Sequence, residues 1–438
     1  MQKPSLLPAL CIAVLLGSSA LSQSALAEPA PADPATQPQE QAAIKDDAVL
    51  TLSDAIQKAL DASPRLKSAS AGLDAAKGLQ EQAGYMPNPQ LEILAENVAG
   101  SGRFSGFDSA ETTFGVSQEI EWGGKRGYRQ QAATHGTTYG EYGLTIERLN
   151  LIRDVQIAYH NSVAAQEALA LAEERKALAG EMQGTVNERV RSAAEPAIQL
   201  RKAEIGLSTA TVIEERARRE FKHTKHVLAS LWAGHDEAFG LSDDLFFELS
   251  PPPTEDEVEN KLAKTADLKR WESEQQRYAA LYELEKAEAI PNPRVTLGVR
   301  DFRANDDQAL VAGVSIPIPV FNGNSGNIAS AKSKMNQAES DKQNTHLTMR
   351  NEVFESLEEM INAYAHANTL KADIIPSAQQ AFKLARNGYQ AGRFPYLEVL
   401  DSQRTLFEVK EQYIEALKAY HTARANVERM TTITGEQQ

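Results

Sequence analysis

Among 438 residues there is a single cysteine, Cys11. It lies in an N-terminal segment that reads as a removable secretory signal: Lys3, an apolar core from Leu6 to Leu16, then small residues ending Ala25-Leu26-Ala27 before Glu28. Pro8-Ala9-Leu10 ahead of Cys11 is a poor match to a lipoprotein cleavage box. With residues 1–27 assigned as signal peptide, the mature chain has no thiol, and neither disulfides nor thiolate metal sites can form. Beyond the signal, no run approaches the ~18–20 consecutive apolar residues that a spanning helix requires, which excludes a helical membrane protein. Basic residues are also short: 45 Lys and Arg against 60 Asp and Glu leave a formal charge of −15. Binding to nucleic acid through a basic surface is thereby disfavoured, and a cationic cargo or partner suits the chain better. No Ser/His/Asp or Cys/His arrangement stands out, so no enzyme is expected.

What is present is an apolar fraction of 42%, too high for general disorder, in a chain long enough for several domains. Residues 28–50 are dominated by Pro, Ala and Gln without apolar periodicity, and are expected to form a disordered leader. Near the middle, Pro251-Pro252-Pro253 stops a helix and stiffens a connection at 251–254. A weak repeat spans this break. Gly84-Tyr85-Met86-Pro87-Asn88-Pro89 matches Ala289-Ile290-Pro291-Asn292-Pro293, and Gly115-Val116-Ser117 matches Gly313-Val314-Ser315. Further on, the run from Trp122 to Gly127 matches Phe321 to Gly326, and Arg191 to Pro196 matches Gln390 to Pro395. Four matches in one order, each about 200 residues apart, define a first structural repeat over 51–250 and a second over 255–438.

Each repeat opens with a helix, Leu52 to about Tyr85 (Ser53 as N-cap) and Glu255 to about Ile290, ended by Pro-Asn-Pro. Two strands follow, expected near 90–97 and 112–122 in the first repeat and near 293–301 and 310–320 in the second. Phe114, Val116, Ile120 and Trp122 alternate with Thr113, Gly115, Ser117, Glu119 and Glu121, so one face is apolar and the other small or polar. These lengths are near the ~9–11 residues of a tilted membrane strand, with Trp122 and Phe321 where an interfacial aromatic girdle belongs. The loops, Asn97 to Glu111 and Asp301 to Gln308, fall at the extracellular mouth. Helices of unusual length come next, from about Lys125 to Val190 and Gly326 to Gln390, each approaching roughly 100 Å at about 1.5 Å per residue. Phe354, Leu357, Ile361 and Tyr364 step by 3, 4 and 3, continuing to Asn368, Lys371 and Ile375, and Leu397, Leu400, Phe407, Ile414 and Leu417 form the same kind of stripe in the returning helix. This is a narrow coiled-coil stripe.

Four membrane strands cannot close a cylinder, and an open edge facing lipid leaves backbone groups unsatisfied at several kcal/mol each. Copies must therefore share a barrel. Two copies give eight strands and a filled interior, while three give twelve and leave a lumen, which the small polar inward faces favour. Gly115, Ser117, Gly313 and Ser315 would line it, with Glu119 and Glu121 near its lower end.

The duplicated helix, two strands and long helix pair, with Tyr389-Gln390-Ala391-Gly392 leading into Leu397-Glu398-Val399-Leu400, resembles the TolC-like outer membrane efflux proteins. The run from Gln118 to Gly127, Gln-Glu-Ile-Glu-Trp-Gly-Gly-Lys-Arg-Gly, resembles that of the CzcC-like components of heavy-metal cation exporters. The resemblance implies an α+β membrane protein: a homotrimer with a 12-stranded β-barrel in outer membrane lipid, continued by a 12-helix periplasmic α-barrel. It further implies partners, a periplasmic adaptor and an inner-membrane proton-driven pump that supplies the transport chemistry, and no cofactor. Glu398 and Asp401 fall on the family's acidic entrance ring; three residues apart, they share a helix face and would present six carboxylates around a threefold axis. The plain alternative is a solvated helix face. Tyr389 matches a tyrosine that holds the periplasmic tip closed by hydrogen bonding, and Gly392 suits the turn. Phe394 stands where the family's best-known members place an arginine latch, which points to an apolar constriction, with Arg393 beside it as a substitute.

Gly123-Gly124-Lys125-Arg126 lacks P-loop spacing and is expected to turn strand into helix, its cations meeting anionic groups at the membrane surface. His223 and His226, at i and i+3 with His235 and Asp236 beyond, read as solvated rather than as a metal site. Divalent heavy-metal cations are the expected cargo. Drugs or small organic molecules are the alternative, and a periplasmic coiled-coil adaptor is the alternative of another class.

Overall fold

The computed structural model describes residues 49–235 and 239–433. The expected signal peptide, the expected leader up to residue 48, and Asp236 lie outside the described residues. Val49 and Leu50 do not belong to a leader, because they form strand β1 (Val49–Leu50). In chain order there follow α1 (Leu52–Ala62), α2 (Pro64–Ala83), β2 (Gln90–Glu96), β3 (Glu111–Glu119), the 67-residue α3 (Lys125–Arg191), α4 (Ala197–Ser230) and β4 (Gly240–Leu241). The plan then recurs as α5 (Glu255–Leu262), α6 (Ala266–Glu288), β5 (Arg294–Phe302), β6 (Asp307–Ser315), α7 (Ser325–Thr369), a π-helical turn at Leu370–Ile374, α8 (Ile375–Gln390) and α9 (Tyr396–Thr431).

Local chemistry sets the boundaries. Thr51, not Ser53, caps α1: its hydroxyl accepts the Asp54 N–H and Asp54 reciprocates, a capping box that Thr254 and Glu257 repeat at α5. The single opening helix expected in each repeat is two helices. Pro64 has no N–H and holds Ser63 extended (ψ 126°), which separates α1 from α2. The second long helix is likewise interrupted, since Pro376 removes a donor and the π turn just ahead of it absorbs the mismatch.

Strands β2, β3, β5 and β6 form one antiparallel sheet in that order. Two strands are shorter than expected. β3 ends at Glu119 and β6 at Ser315, beyond which Pro317 and Pro319 have no N–H to give. The second loop is only a tight turn, because Asp301 and Gln308 are themselves paired. Register sorts the side chains. Leu91, Val116, Leu297 and Ala312 lie in one row, with Ile93, Phe114, Val299 and Leu310 in the next. The other face carries Glu92, Gly115, Gly298 and Val311 beside Gln90, Ser117, Thr296 and Gly313. Among the described residues nothing packs on the apolar face: Leu91, Leu297 and Leu310 are 73%, 63% and 88% exposed.

Helices α2, α3, α6 and α7 pack side by side in the same order as the strands they adjoin, and further along α3 packs on α4 and α9. The seam of the second hairpin is Val353, Leu357, Met360, Ala363, Ala367 and Leu370, one step round from the expected stripe: Phe354 and Tyr364 are half-buried on its flank, and Ile361 and Lys371 are exposed. On α9, Phe407, Ile414 and Leu417 are buried as expected, while Leu397 is exposed.

Midway along the helices, β1 and β4 pair in parallel and lie across α3. The Tyr159 hydroxyl is shared between the carbonyls of Leu50 (2.9 Å) and Ser242 (2.8 Å), and Tyr420 donates to Ser250 C=O at 2.8 Å. Inside this belt His160 of α3 stacks on His421 of α9, centroids 3.9 Å apart and planes 12° from parallel, under Phe246. His421 Nε2 donates to Phe246 C=O at 2.9 Å. Burial, then His421 and Arg424, push His160 down to about 3; burial also lowers His421 against that hydrogen bond. Both rings are neutral in the native state and protonate in the unfolded chain. Stability from this pair is thus full above pH 6.5 and is lost as pH falls from 6.5 toward 3. The thermal midpoint is expected to drop across that window and His160→Phe to flatten the drop; an unaltered slope in the variant would refute the assignment.

Candidate functional site

The polar face of the sheet is built from paired charges. Ser117 Oγ donates to Glu92 at 2.6 Å, and Arg294 donates to Gln90 (2.7 Å) and pairs with Glu119 (3.4 Å). Arg300 pairs with Glu96 (2.8 Å) and Glu111 (3.2 Å) and donates to Thr113 (2.9 Å). Gly115, Ser117, Gly313, Ser315 and Glu119, expected to line a lumen, share this face. Leu94, Phe302, Ala309 and Val311 are its apolar members. Along the paired rungs the carboxylates Glu92, Glu96, Glu111, Glu119 and Asp307 outnumber Arg294 and Arg300, so the face is acidic. Glu121 lies beyond the last rung, held by Arg129 through both nitrogens (2.5 and 3.1 Å).

The turn from β3 to α3 is made by Gly123 and Gly124, both left-handed (φ 76° and 81°), with Gly124 as the N-cap. A Cβ on Gly123 would lie 2.9 Å from Ile290 Cδ1. Lys125 does not reach the membrane surface. It is 3% exposed, donates to Asn292 Oδ1 at 2.8 Å and pairs with Glu288 at 3.3 Å. Arg126 alone of the two cations is exposed. The hub is Asn292, which also accepts the Trp122 N–H (3.1 Å) and donates to Glu119 (2.8 Å). Its Pro-Asn-Pro setting was visible in the sequence as a helix terminator; its side-chain role was not.

The far ends of the long helices turn back at two tips. At the second, Arg393 N–H bonds to Gly388 C=O (2.8 Å) and Gly392 N–H to Tyr389 C=O (2.9 Å), with Gly392 at φ 73°, a Schellman closure. At the first, Ala194 bonds to Arg189 (2.8 Å) and Ala193 to Val190 (3.0 Å), but the left-handed residue is Ala193 at φ 58°. Tyr389 is fully buried, and its ring lies 5.6 Å from that of Tyr396. Burial raises both phenols, Tyr396 to about 12. The Tyr389 hydroxyl has no hydrogen-bond partner among the described residues. The contact between the tips is instead Arg189, absent from the sequence reading: its guanidinium lies 4.8 Å over the Tyr389 ring, donates to Tyr389 C=O at 3.2 Å and faces Glu195 at 3.7 Å. Phe394 folds back over Gly388, where any Cβ would sit 2.2 Å from its ring. Arg393 is exposed, as are Glu398 and Asp401 on the first two turns of α9. His223 and His226 are exposed on α4, and no group of three or more His, Cys, Asp or Glu is placed to hold a metal ion among the described residues.

An amphipathic sheet with one bare apolar face, extended by helices of α3's length, defines a membrane conduit rather than an enzyme. The chain belongs to the outer membrane efflux protein family, whose model matches residues 55–234 and 259–432. It is 28% identical over 382 residues to the cobalt-zinc-cadmium resistance protein CzcC of Cupriavidus metallidurans, spanning 87% of this chain and 90% of that one. To the nickel-cobalt-cadmium resistance protein NccC of Alcaligenes xylosoxydans xylosoxydans it is 27% identical over 285 residues, 65% of this chain and 64% of the relative. The fold matches the outer membrane protein VceC of Vibrio cholerae at a TM-score of 0.72 and 19% identity, covering 87% of this chain and 95% of that one.

The two tips make a paired test of backbone strain. A left-handed L-residue costs about 1–2 kcal/mol, so Gly392→Ala is expected to lower stability by that order and Ala193→Gly to raise it by about 1 kcal/mol. Thermal unfolding followed by circular dichroism reads both, and shifts of the same sign would contradict the assigned turns.

Proposed function

We propose that this chain is the outer membrane channel of a tripartite resistance-nodulation-division type exporter that delivers divalent heavy-metal cations to the exterior. In this reading three copies share a 12-stranded barrel and a 12-helix periplasmic tunnel, each chain being an internal duplication. The observation that carries it is the four-stranded sheet: apolar on one face, acidic on the other, and open at both edges, so that further strands are required before it can sit in lipid. The names of the relatives CzcC and NccC support a metal cargo. A periplasmic adaptor and an inner-membrane proton-driven pump are its partners in this reading, as membership of the outer membrane efflux protein family supports.

The tip assignments belong to the same proposal. Glu398 and Asp401, exposed beside the second tip, form the cation-entrance ring, and threefold symmetry multiplies them to six carboxylates. Tyr389 and Gly392 shape the periplasmic gate together with Arg189, while Arg393 and Phe394 border it.

Two measurements test this. Deleting the gene is expected to sensitise cells to divalent heavy metals and leave drug sensitivity unchanged; sensitivity to drugs alone would reassign the cargo. In planar bilayers, Glu398→Ala with Asp401→Ala is expected to reduce cation-over-anion selectivity several-fold, and an unchanged reversal potential would remove the ring.

A further inference from the structure

The two strand hairpins correspond rung for rung. Gln90 faces Ser117 as Arg294 faces Ser315, and Glu92 faces Gly115 as Thr296 faces Gly313. Positions in β2 therefore map onto β5, and positions in β3 onto β6. Inside the chain the β3–β5 seam is complete, whereas β6 and β2 are the open edges. The completed seam is a template for the one that a single chain leaves unmade.

The template fixes a register. Ser117 opposite Thr296 and Gly115 opposite Gly298 translate into Ser315 opposite Glu92, and Gly313 opposite Leu94, of another copy. It also fixes which backbone groups bond. Ile120 N–H donates to Pro293 C=O (2.9 Å) and Arg303 N–H to Ala110 C=O (3.1 Å), which extends the β3–β5 ladder at both ends. In an antiparallel ladder each residue turns its N–H and C=O to one side and its neighbour's go to the other. Even-numbered residues of β3 thus face β5, and the equivalent even-numbered residues of β6 face the open edge. Continuing past the strand, Ile316 and Ile318 keep their N–H groups toward that edge. Pro317 and Pro319 fall on the odd positions, where the missing donors are not wanted. The Ile-Pro-Ile-Pro run, which ends pairing on the β5 side, leaves the outer N–H groups of Ile316 and Ile318 available, while the Val320 N–H turns back onto Ile318 C=O (2.9 Å). This side is bare: Ile318 is 81% and Phe321 fully exposed.

A second observation comes from the clamp below the seam. Asn292, between Pro291 and Pro293, accepts the Trp122 N–H and ties the strand exit to the helix start. Its counterpart in the repeat is Asn88, between Pro87 and Pro89; that side chain is exposed and has no partner among the described residues. The counterpart of Trp122 is Phe321.

We propose that β6 of one copy zips against β2 of the next in the register Ser315–Glu92, with Asn88 accepting the Phe321 N–H of its neighbour as Asn292 accepts that of Trp122. This deepens the shared-barrel reading and rests on it. The seam between copies is the weaker one. Glu119 and Lys125, the other partners of Asn292, correspond to Pro317 and to Ser325, the first residue of α7 as Lys125 is of α3, and neither counterpart is charged.

Cysteine pairs in the full-length protein test the register, since the mature chain otherwise carries no cysteine. In the proposed register residues 92 and 315 form a non-hydrogen-bonded pair about 4.5 Å apart, within disulfide reach. Glu92→Cys with Ser315→Cys is expected to give reducible covalent oligomers under mild oxidation, at least tenfold more than Glu92→Cys with Gly313→Cys. Preferential cross-linking of the shifted pair, or of neither pair in a protein that is oligomeric by light scattering, would overturn the seam. A protein monomeric in mild detergent would overturn the barrel reading itself. Asn88→Ala is expected to lower the temperature at which the oligomer dissociates without loss of helical signal, and Asn88→Asp, which keeps the acceptor, to restore it. Dissociation of Asn88→Ala at the wild-type temperature would overturn the clamp.

Discussion

A peptide group that faces hydrocarbon has no water to bond, so every N–H and C=O of a membrane strand must find a partner in the protein. In this chain that constraint acts on a sheet of only four strands. β3 and β5 satisfy each other, while β2 and β6 each leave one row of backbone groups open. In the proposed barrel the apolar row of Leu91, Val116, Leu297 and Ala312 faces lipid, and the open rows forbid the sheet to stay there alone. In the same proposal the acidic opposite face meets only water, and its arginines hold the carboxylates in fixed places rather than neutralising them all.

The helices inherit their order from the strands. β3 and β6 each run into a helix past left-handed residues, Gly123 and Gly124 in one repeat and Asn324 in the other, while β2 and β5 each follow a helix. Helices α2, α3, α6 and α7 can therefore only continue the sheet as a wall of the same sequence. Such a wall is one helix thick and has a thin core. The β1–β4 belt, with Tyr159, Tyr420 and the His160–His421 stack, supplies the packing that a wall lacks at mid-length. At the far end the same shortage of core explains the burial of Tyr389 and the reach of Arg189 across to it.

The sequence made the repeat, the four strands, the long helices and the turn glycines visible, because periodicity and Pro or Gly placement are local properties. Helix breaks were missed where a single residue decides them, as Pro64 does, and the seam of α7 was read one step off because Phe354 and Tyr364 are apolar yet only flank it. The candidate site was less readable. Lys125 looked like a surface cation and is buried against Glu288; Phe394 looked like a constriction and covers Gly388 of its own hairpin. The side-chain roles of Arg189 and Asn292 gave no signal, since Tyr389 and Trp122 lie 200 and 170 positions away.

By itself the sequence determined which strand residues share the apolar face and which the polar one, for alternation in a strand is set by the pleat and needs no partner. It also laid out one order of elements twice. Only the tertiary structure decided which charges meet: that Asn292 rather than Lys125 organises the strand exit, that Arg189 rather than the Tyr389 hydroxyl joins the tips, and that His160 meets His421. Those choices depend on distances between segments far apart in the chain, which no local pattern encodes.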